Sequence, residues 1–136
     1  MIVYVLDSSA LLRYVDDEAG AERVEEILRA SVAGQAEISI SAVQWGEIAG
    51  KLRQHRGVNY EMRILSSLLP SEAKIVSVDG ERAVRAAHLK VDRKIAYADA
   101  FALSLAMESP DRVFVTADYG FQSVADLARI EFLPTK

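Results

Sequence analysis

The sequence contains no cysteine, which excludes a disulfide framework, a thiolate metal site and a cysteine nucleophile. Histidine is nearly as scarce: His55 and His88 have no acidic partner nearby in sequence, and neither is assigned a catalytic role. No apolar run is long enough to span a bilayer and no signal-peptide pattern is present, so the expectation is a cytoplasmic protein with no membrane partner. Internal repeats, low-complexity segments and interior linkers are also missing. Residues 1–136 are therefore expected to form a single domain. Positive charge is in deficit, with 16 Lys and Arg against 20 Asp and Glu and a net charge of -4. A module that coats nucleic-acid phosphates by charge alone is normally basic, so that class is disfavoured. A protein whose acids are concentrated at a metal site is not, since setting four acids aside leaves the rest in balance with the 16 cations.

Apolar residues make up 51% of the 136 and charged residues 26%, enough for a real core. The chain is organised around its beginning. Ile2 to Leu6 is a continuous apolar run ending in Asp7, Ser8 and Ser9, and it reads as a strand buried on both faces. Ser8 and Ser9 offer cap groups for a short helix over Ala10–Val15, and a second helix is expected over Ala19–Val32, ended by Gly34. Glu37–Ile40 reads as the second strand. A helix over Ala42–His55 follows, capped by Ser41, with Trp45, Ile48, Ala49 and Leu52 as its apolar stripe. Gly57 closes it, and Asn59 opens another helix to about Leu69, stopped by Pro70. Lys74–Val78 is a strand, Asp79 caps a helix over Glu81–Val91, and Ile95–Met107 is a nearly all-apolar buried helix. After the Pro110–Asp111 turn come a strand over Val113–Thr116, a loop, a short helix and a last strand near Ile130–Leu133. Strands alternating with helices predict an α/β fold. The expected architecture is a three-layer α/β/α sandwich around a central, mostly parallel sheet of four to five strands.

In such a fold each helix starts near the carboxyl end of the strand before it, where ligands gather. Asp7, Glu47, Asp99 and Asp118 all fall at that edge, whereas Glu108 falls at the opposite one and Glu22, Glu25 and Glu26 on a solvated face. Asp99 carries the sharpest signal. Between Ile95 and Met107 the only other polar side chains are Tyr97 and Ser104, and an ionised carboxylate on a buried helix needs a partner or a metal. A plainer role exists for each acid: helix caps for Asp7 and Asp99, a turn for Asp118, a solvated glutamate for Glu47. Their joint placement favours the shared site. Four carboxylates a few ångströms apart repel by about 4 kcal/mol per pair at an effective dielectric of roughly 20, so protons or cations must relieve them. Oxygen ligands without histidine or cysteine suit Mg²⁺, with Mn²⁺ as substitute, and such ions activate water for phosphodiester hydrolysis.

Ser9 and Thr116, each two positions from an acid, are candidates to orient the ligand carboxylates, with local backbone capping as the alternative. An RNA backbone would need cations outside the acids. Arg13, Lys51, Arg53 and Arg56 form one group of candidates; Lys90, Arg93 and Lys94 form a second, expected to be the better placed because it leads into the Asp99 helix.

On Val5-Leu6-Asp7-Ser8-Ser9-Ala10, Ser41 with Glu47 six residues on, Asp99-Ala100, and Val115-Thr116-Ala117-Asp118 followed by Phe121, the chain resembles the PIN-domain proteins. The likeness is nearest to the VapC-type toxin ribonucleases of toxin–antitoxin pairs. The resemblance implies a Mg²⁺-dependent endoribonuclease acting on RNA, with Asp7, Glu47, Asp99 and Asp118 as its catalytic and metal-binding acids. It also implies a cognate antitoxin and a homodimer. One departure is Gly120, where the family often has a further acid, so one tightly held ion is expected with a second arriving weakly. Two other readings stay open: an acidic-pocket Mg²⁺ phosphotransfer domain, receiver-like or phosphatase-like, and a non-catalytic PIN-like binding module. Ser9 stands where a haloacid-dehalogenase-type phosphatase would carry a second aspartate.

Overall fold

A computed structural model describes all residues from Met1 to Lys136. Five strands form one sheet: β1 (Val3–Leu6), β2 (Glu37–Ser41), β3 (Lys74–Val76), β4 (Arg112–Thr116) and β5 (Arg129–Phe132). Their spatial order is β3-β2-β1-β4-β5 and every neighbouring pair is parallel. The sheet is thus wholly parallel, and the sequence expectation of a mostly parallel sheet of four to five strands resolves to five.

Period-two alternation divides the strands between two cores. Leu6, Ile38, Ile40, Val113 and Val115 face one side and pack against helices α1 (Ser8–Val15), α2 (Ala21–Val32) and α3 (Ala42–Ser67). Val5 and Phe114 face the other, against α5 (Tyr97–Ala106) and the 3-10 segment Tyr119–Val124. Helix α4 (Gly80–Arg93) lies outside α5, with Ala86 against Ala100 and Phe101. Residues buried on both faces explain why the central strands read as unbroken apolar runs.

Three junctions bear on the expected elements. The residues around Gly57 form one long helical run, but Gly57 sits at φ 85°, ψ 179°, which breaks the α3 path into the two segments that the sequence suggests. A left-handed φ of this kind is open to glycine at little cost. Strand β3 ends at Val76, and Asp79 caps α4 by accepting from the Arg82 amide. Helix α1 is capped by Asp7, not by Ser8 or Ser9, because the serine hydroxyls are used elsewhere. No helix is long and apolar enough to cross a membrane.

Strand order reverses direction at β1: the chain runs outward to β2 and β3 on one side and to β4 and β5 on the other. The crevice beyond the carboxyl ends of β1 and β4 is the switch point at which open α/β sheets bind ligands. Asp7 follows β1 there, and Asp118 follows β4.

Candidate active site

Asp7 leaves β1 with extended backbone and is only 4% exposed. Its Oδ1 accepts from the Ser9 hydroxyl at 2.7 Å and the Ala10 amide at 2.9 Å, while Oδ2 accepts from the Thr116 hydroxyl at 2.6 Å. Ser9 Oγ in turn accepts from the Ala117 amide, and Thr116 Oγ1 from the Asp118 amide. The two hydroxyls therefore work as relays. Each takes a backbone N–H from the end of β4 and passes its own proton to a carboxylate oxygen at the end of β1. Ser9 bonds to the acid two positions before it, whereas the Thr116 hydroxyl donates to Asp7 across the β1–β4 junction and not to Asp118, the acid two positions after it. Burial pushes the Asp7 carboxyl up from 3.8 to about 6, opposed by the bonds from Thr116, Ser9 and the Ala10 amide and assisted by the negative charge of Asp99.

Asp99 is the third residue of α5, half-buried, with Ala96 at the cap position. It is thus not the cap of a shorter helix. No hydrogen bond or ion pair engages its carboxylate, and its pKa is raised, first by desolvation and then by the charges of Asp118 and Glu47. Lys51 is the one cation that opposes this rise. Glu47, one turn before Lys51 on α3, accepts from the Ser8 hydroxyl at 3.3 Å. Asp118 caps the Tyr119–Val124 segment, its Oδ1 accepting from the Gly120 amide at 2.8 Å. A Cβ at position 120 would lie 3.0 Å from that same oxygen, so glycine lets the Asp118 carboxylate fold back onto the backbone.

The four acids of the sequence reading are therefore electrostatic neighbours. Asp99 is the hub, since its charge raises Asp7 while Asp118 and Glu47 raise Asp99. They form one field and not a closed cage: no group of three metal-capable side chains converges as the side chains stand. The donor chemistry still fits a hard divalent cation. It is carboxylate throughout, and Asp99 is an uncompensated half-buried anion that a cation would relieve. A cleft of about 220 Å³ opens over the pair Asp99 and Asp118, lined also by Lys94, Ala96, Gly120 and Ser123.

The cations divide differently from expectation. Lys94 lines that cleft, and Lys51 faces Asp99 from the first group. Arg93 is committed elsewhere, to Asp126 through both carboxylate oxygens and to the Ser123 carbonyl. Arg13 donates to the Ala19 carbonyl in the α1–α2 turn. Lys90 stands 6.0 Å from the centre of the Tyr97 ring. Of Lys90, Arg93 and Lys94, only Lys94 lines the cleft; Arg93 is drawn to Asp126 instead.

Two contributors escaped the sequence reading. Ser8 turns its hydroxyl to Glu47 and its amide to Gln44. Gln44, 1% exposed, also donates from Nε2 to the Ala98 carbonyl at 2.7 Å. Its signal was available: Gln44 lies four residues before Ile48 and eight before Leu52, a polar residue on the buried stripe of α3.

Comparison with known proteins bears on the family and the fold. The PIN domain family model matches residues 4–127. No curated protein matches by sequence. Among solved structures, VapBC2 from Rickettsia felis, bound to a DNA fragment from its promoter, superposes with a TM-score of 0.75 at 16% identity, over 98% of this chain and 100% of that one. VapC20 of Mycobacterium tuberculosis, described as a sarcin-ricin loop cleaving toxin, gives 0.72 at 15% identity over 97% and 99%. FitAcB from Neisseria gonorrhoeae gives 0.66 at 21% identity over 96% and 97%. At these identities the likeness is one of fold.

Proposed function

The chain belongs to the PIN domain family, and from that premise we propose that it is a Mg²⁺-dependent endoribonuclease, the toxin of a toxin–antitoxin pair. The observation that carries the proposal is Asp99: a half-buried carboxylate engaged by no ion pair and no hydrogen bond, set among three other acids at the switch point of a parallel sheet. Such uncompensated charge is rare in a structural role and common at a catalytic one. Asp7, Glu47, Asp99 and Asp118 would hold Mg²⁺, or Mn²⁺ in its place. When bound, the ion supplies charge neutralisation and water activation for phosphodiester hydrolysis.

The side chains supply the rest. Asp7 is fixed by Ser9, Thr116 and the Ala10 amide, with both Oδ1 sites taken and one site left on Oδ2, so the remaining lone pair keeps one direction. Asp99 and Asp118 border the cleft, where their carboxylates would meet an arriving cation. Lys94, which lines the cleft, and Lys51, whose charge acts on Asp99, would offer positive charge to the phosphates. A cognate antitoxin, by analogy with the VapBC assemblies of the same fold, and a homodimer complete the reading.

A second reading, a non-catalytic binding module, draws on the absence of three converging acids. Phosphotransfer through Asp7 finds less support, because Ser9 stands where a haloacid-dehalogenase-type phosphatase would carry a second aspartate. A crystal soaked in Mn²⁺ separates the first two. Anomalous density between Asp7, Asp99 and Asp118, together with Mn²⁺-dependent cleavage of RNA, is the expected result. Neither density nor a binding isotherm at millimolar Mn²⁺ decides for the binding module.

A further inference from the structure

Gln44 is the only buried carboxamide in the protein, and both of its ends are used. Oε1 accepts from the Ser8 amide at 2.8 Å, and Nε2 donates to the Ala98 carbonyl at 2.7 Å. Ser8 directly follows Asp7, Ala98 directly precedes Asp99, and Gln44 itself stands one helical turn before Glu47. One side chain therefore joins the backbone of three segments that each carry an acid. The contact with Ser8 is reinforced, since the Ser8 hydroxyl donates to Glu47 at 3.3 Å.

We propose that Gln44 is a positioning residue of the acidic site, fixing the spacing of the β1–α1 junction, α3 and α5. The inference rests on the reading that Asp7, Glu47 and Asp99 hold a divalent cation. The chemistry calls for an amide at this place. A planar group with an acceptor at one end and a donor at the other takes up the Ser8 N–H, a free donor of the first turn of α1, and at the same time gives a further bond to the Ala98 carbonyl of α5. Glutamate would lose the donor, methionine both groups, and asparagine the reach. Repulsion between the carboxylates pushes the three segments apart while the ion is away. A rigid hydrogen-bonded bridge beneath them resists that push where a purely apolar contact would slide.

The test compares Mn²⁺ affinity with stability in the full chain. Wild type, Gln44→Met and Ile27→Val are titrated with Mn²⁺ by calorimetry, and hydrogen exchange at the Ser8 amide is followed in EDTA. Ile27, 1% exposed on α2, lies in the core on the α1–α3 face, so its variant reports general destabilisation. Gln44→Met should bind Mn²⁺ about 10- to 100-fold more weakly, the usual effect of removing a group that orients ligands. Its Ser8 amide should exchange faster, while Ile27→Val binds as wild type. Should Gln44→Met fold too poorly to titrate, Gln44→Asn, which keeps the amide but spans only one partner, is expected to weaken binding similarly. Binding by the Gln44 variant within twofold of wild type, or a loss matched by Ile27→Val, overturns the positioning role and leaves the metal site standing. A wild type that takes up no Mn²⁺ overturns the metal reading, and the inference with it.

Discussion

The two edges of the sheet handle acids in opposite ways. At the amino edge, Glu108 follows α5 and is met by three arginines: Arg82 binds both its oxygens at 3.0 and 3.1 Å, Arg85 reaches it at 3.1 Å and Arg112 at 3.6 Å. At the carboxyl edge, nine residues earlier on the same stretch, Asp99 shares its surroundings with three acids and two lysines, and pairs with neither. The carboxyl of Glu108 is held below its ordinary range, foremost by its hydrogen bonds from Arg82, and that of Asp99 is raised, foremost by desolvation. One edge is electrostatically finished by the fold; the other is completed only by something the protein does not itself provide.

The sharpest way to break this comparison is to neutralise each acid. Asp99→Asn should lower RNA cleavage by on the order of 10³-fold, through lost charge stabilisation worth several kcal/mol, while the melting temperature holds or rises because a repulsive charge is gone. Glu108→Gln should do the reverse, leaving cleavage intact and reducing stability by about 1–2 kcal/mol as its charge-assisted bonds weaken. Single-turnover cleavage and urea unfolding on both variants check the pair. Metal-dependent cleavage retained by Asp99→Asn would remove the acidic edge from the mechanism.

The edges also predict opposite pH slopes. Asp7 has its folded value raised from 3.8 to about 6, so over that window the folded chain binds more protons than the unfolded one. Stability from this group therefore falls as pH rises from 3.8 to about 6, by up to about 3 kcal/mol, and is level above it. Glu108, with a lowered value, contributes stability that is present above its ordinary 4.5 and is lost as pH falls. Urea unfolding in EDTA at pH 5 and pH 7 should show the Asp7 decline, and saturating Mg²⁺ should abolish it, because binding favours the ionised form. The same decline in EDTA and in Mg²⁺ would mean that no ion reaches Asp7.

Much of this was legible in the sequence, for identifiable reasons. Strands buried on both faces announce themselves as unbroken apolar runs, and strand–helix alternation then fixes which acids share an edge. Asp7, Glu47, Asp99 and Asp118 could be brought together by topology alone, and Glu108 set apart by it. What stayed hidden depends on side-chain direction. That Ser8 serves Glu47 while Ser9 serves Asp7 is a matter of helix phase at a junction. That Gln44 points inward at Ser8 and Ala98 required knowing how α3 lies against α5. Arg93 looked free until Asp126, from a distant loop, came within 2.7 Å.

That last pairing sets the smallest test of the comparison, between adjacent cations of α4. Arg93 and Lys94 are neighbours in sequence, but Arg93 is neutralised by Asp126 while Lys94, at φ 57°, is turned by its left-handed backbone to line the cleft with Asp99 and Asp118. Lys94→Ala should raise the KM for RNA a few-fold and reduce its salt dependence by about one phosphate contact, with kcat and stability nearly unchanged. Arg93→Ala should leave KM alone and lower stability by less than about 1 kcal/mol, as befits an exposed ion pair. Cleavage kinetics at two salt concentrations separate them. An equal rise in KM for both variants would mean that charge near the acidic edge acts as a diffuse field, and that the local pairing of each residue is irrelevant to substrate.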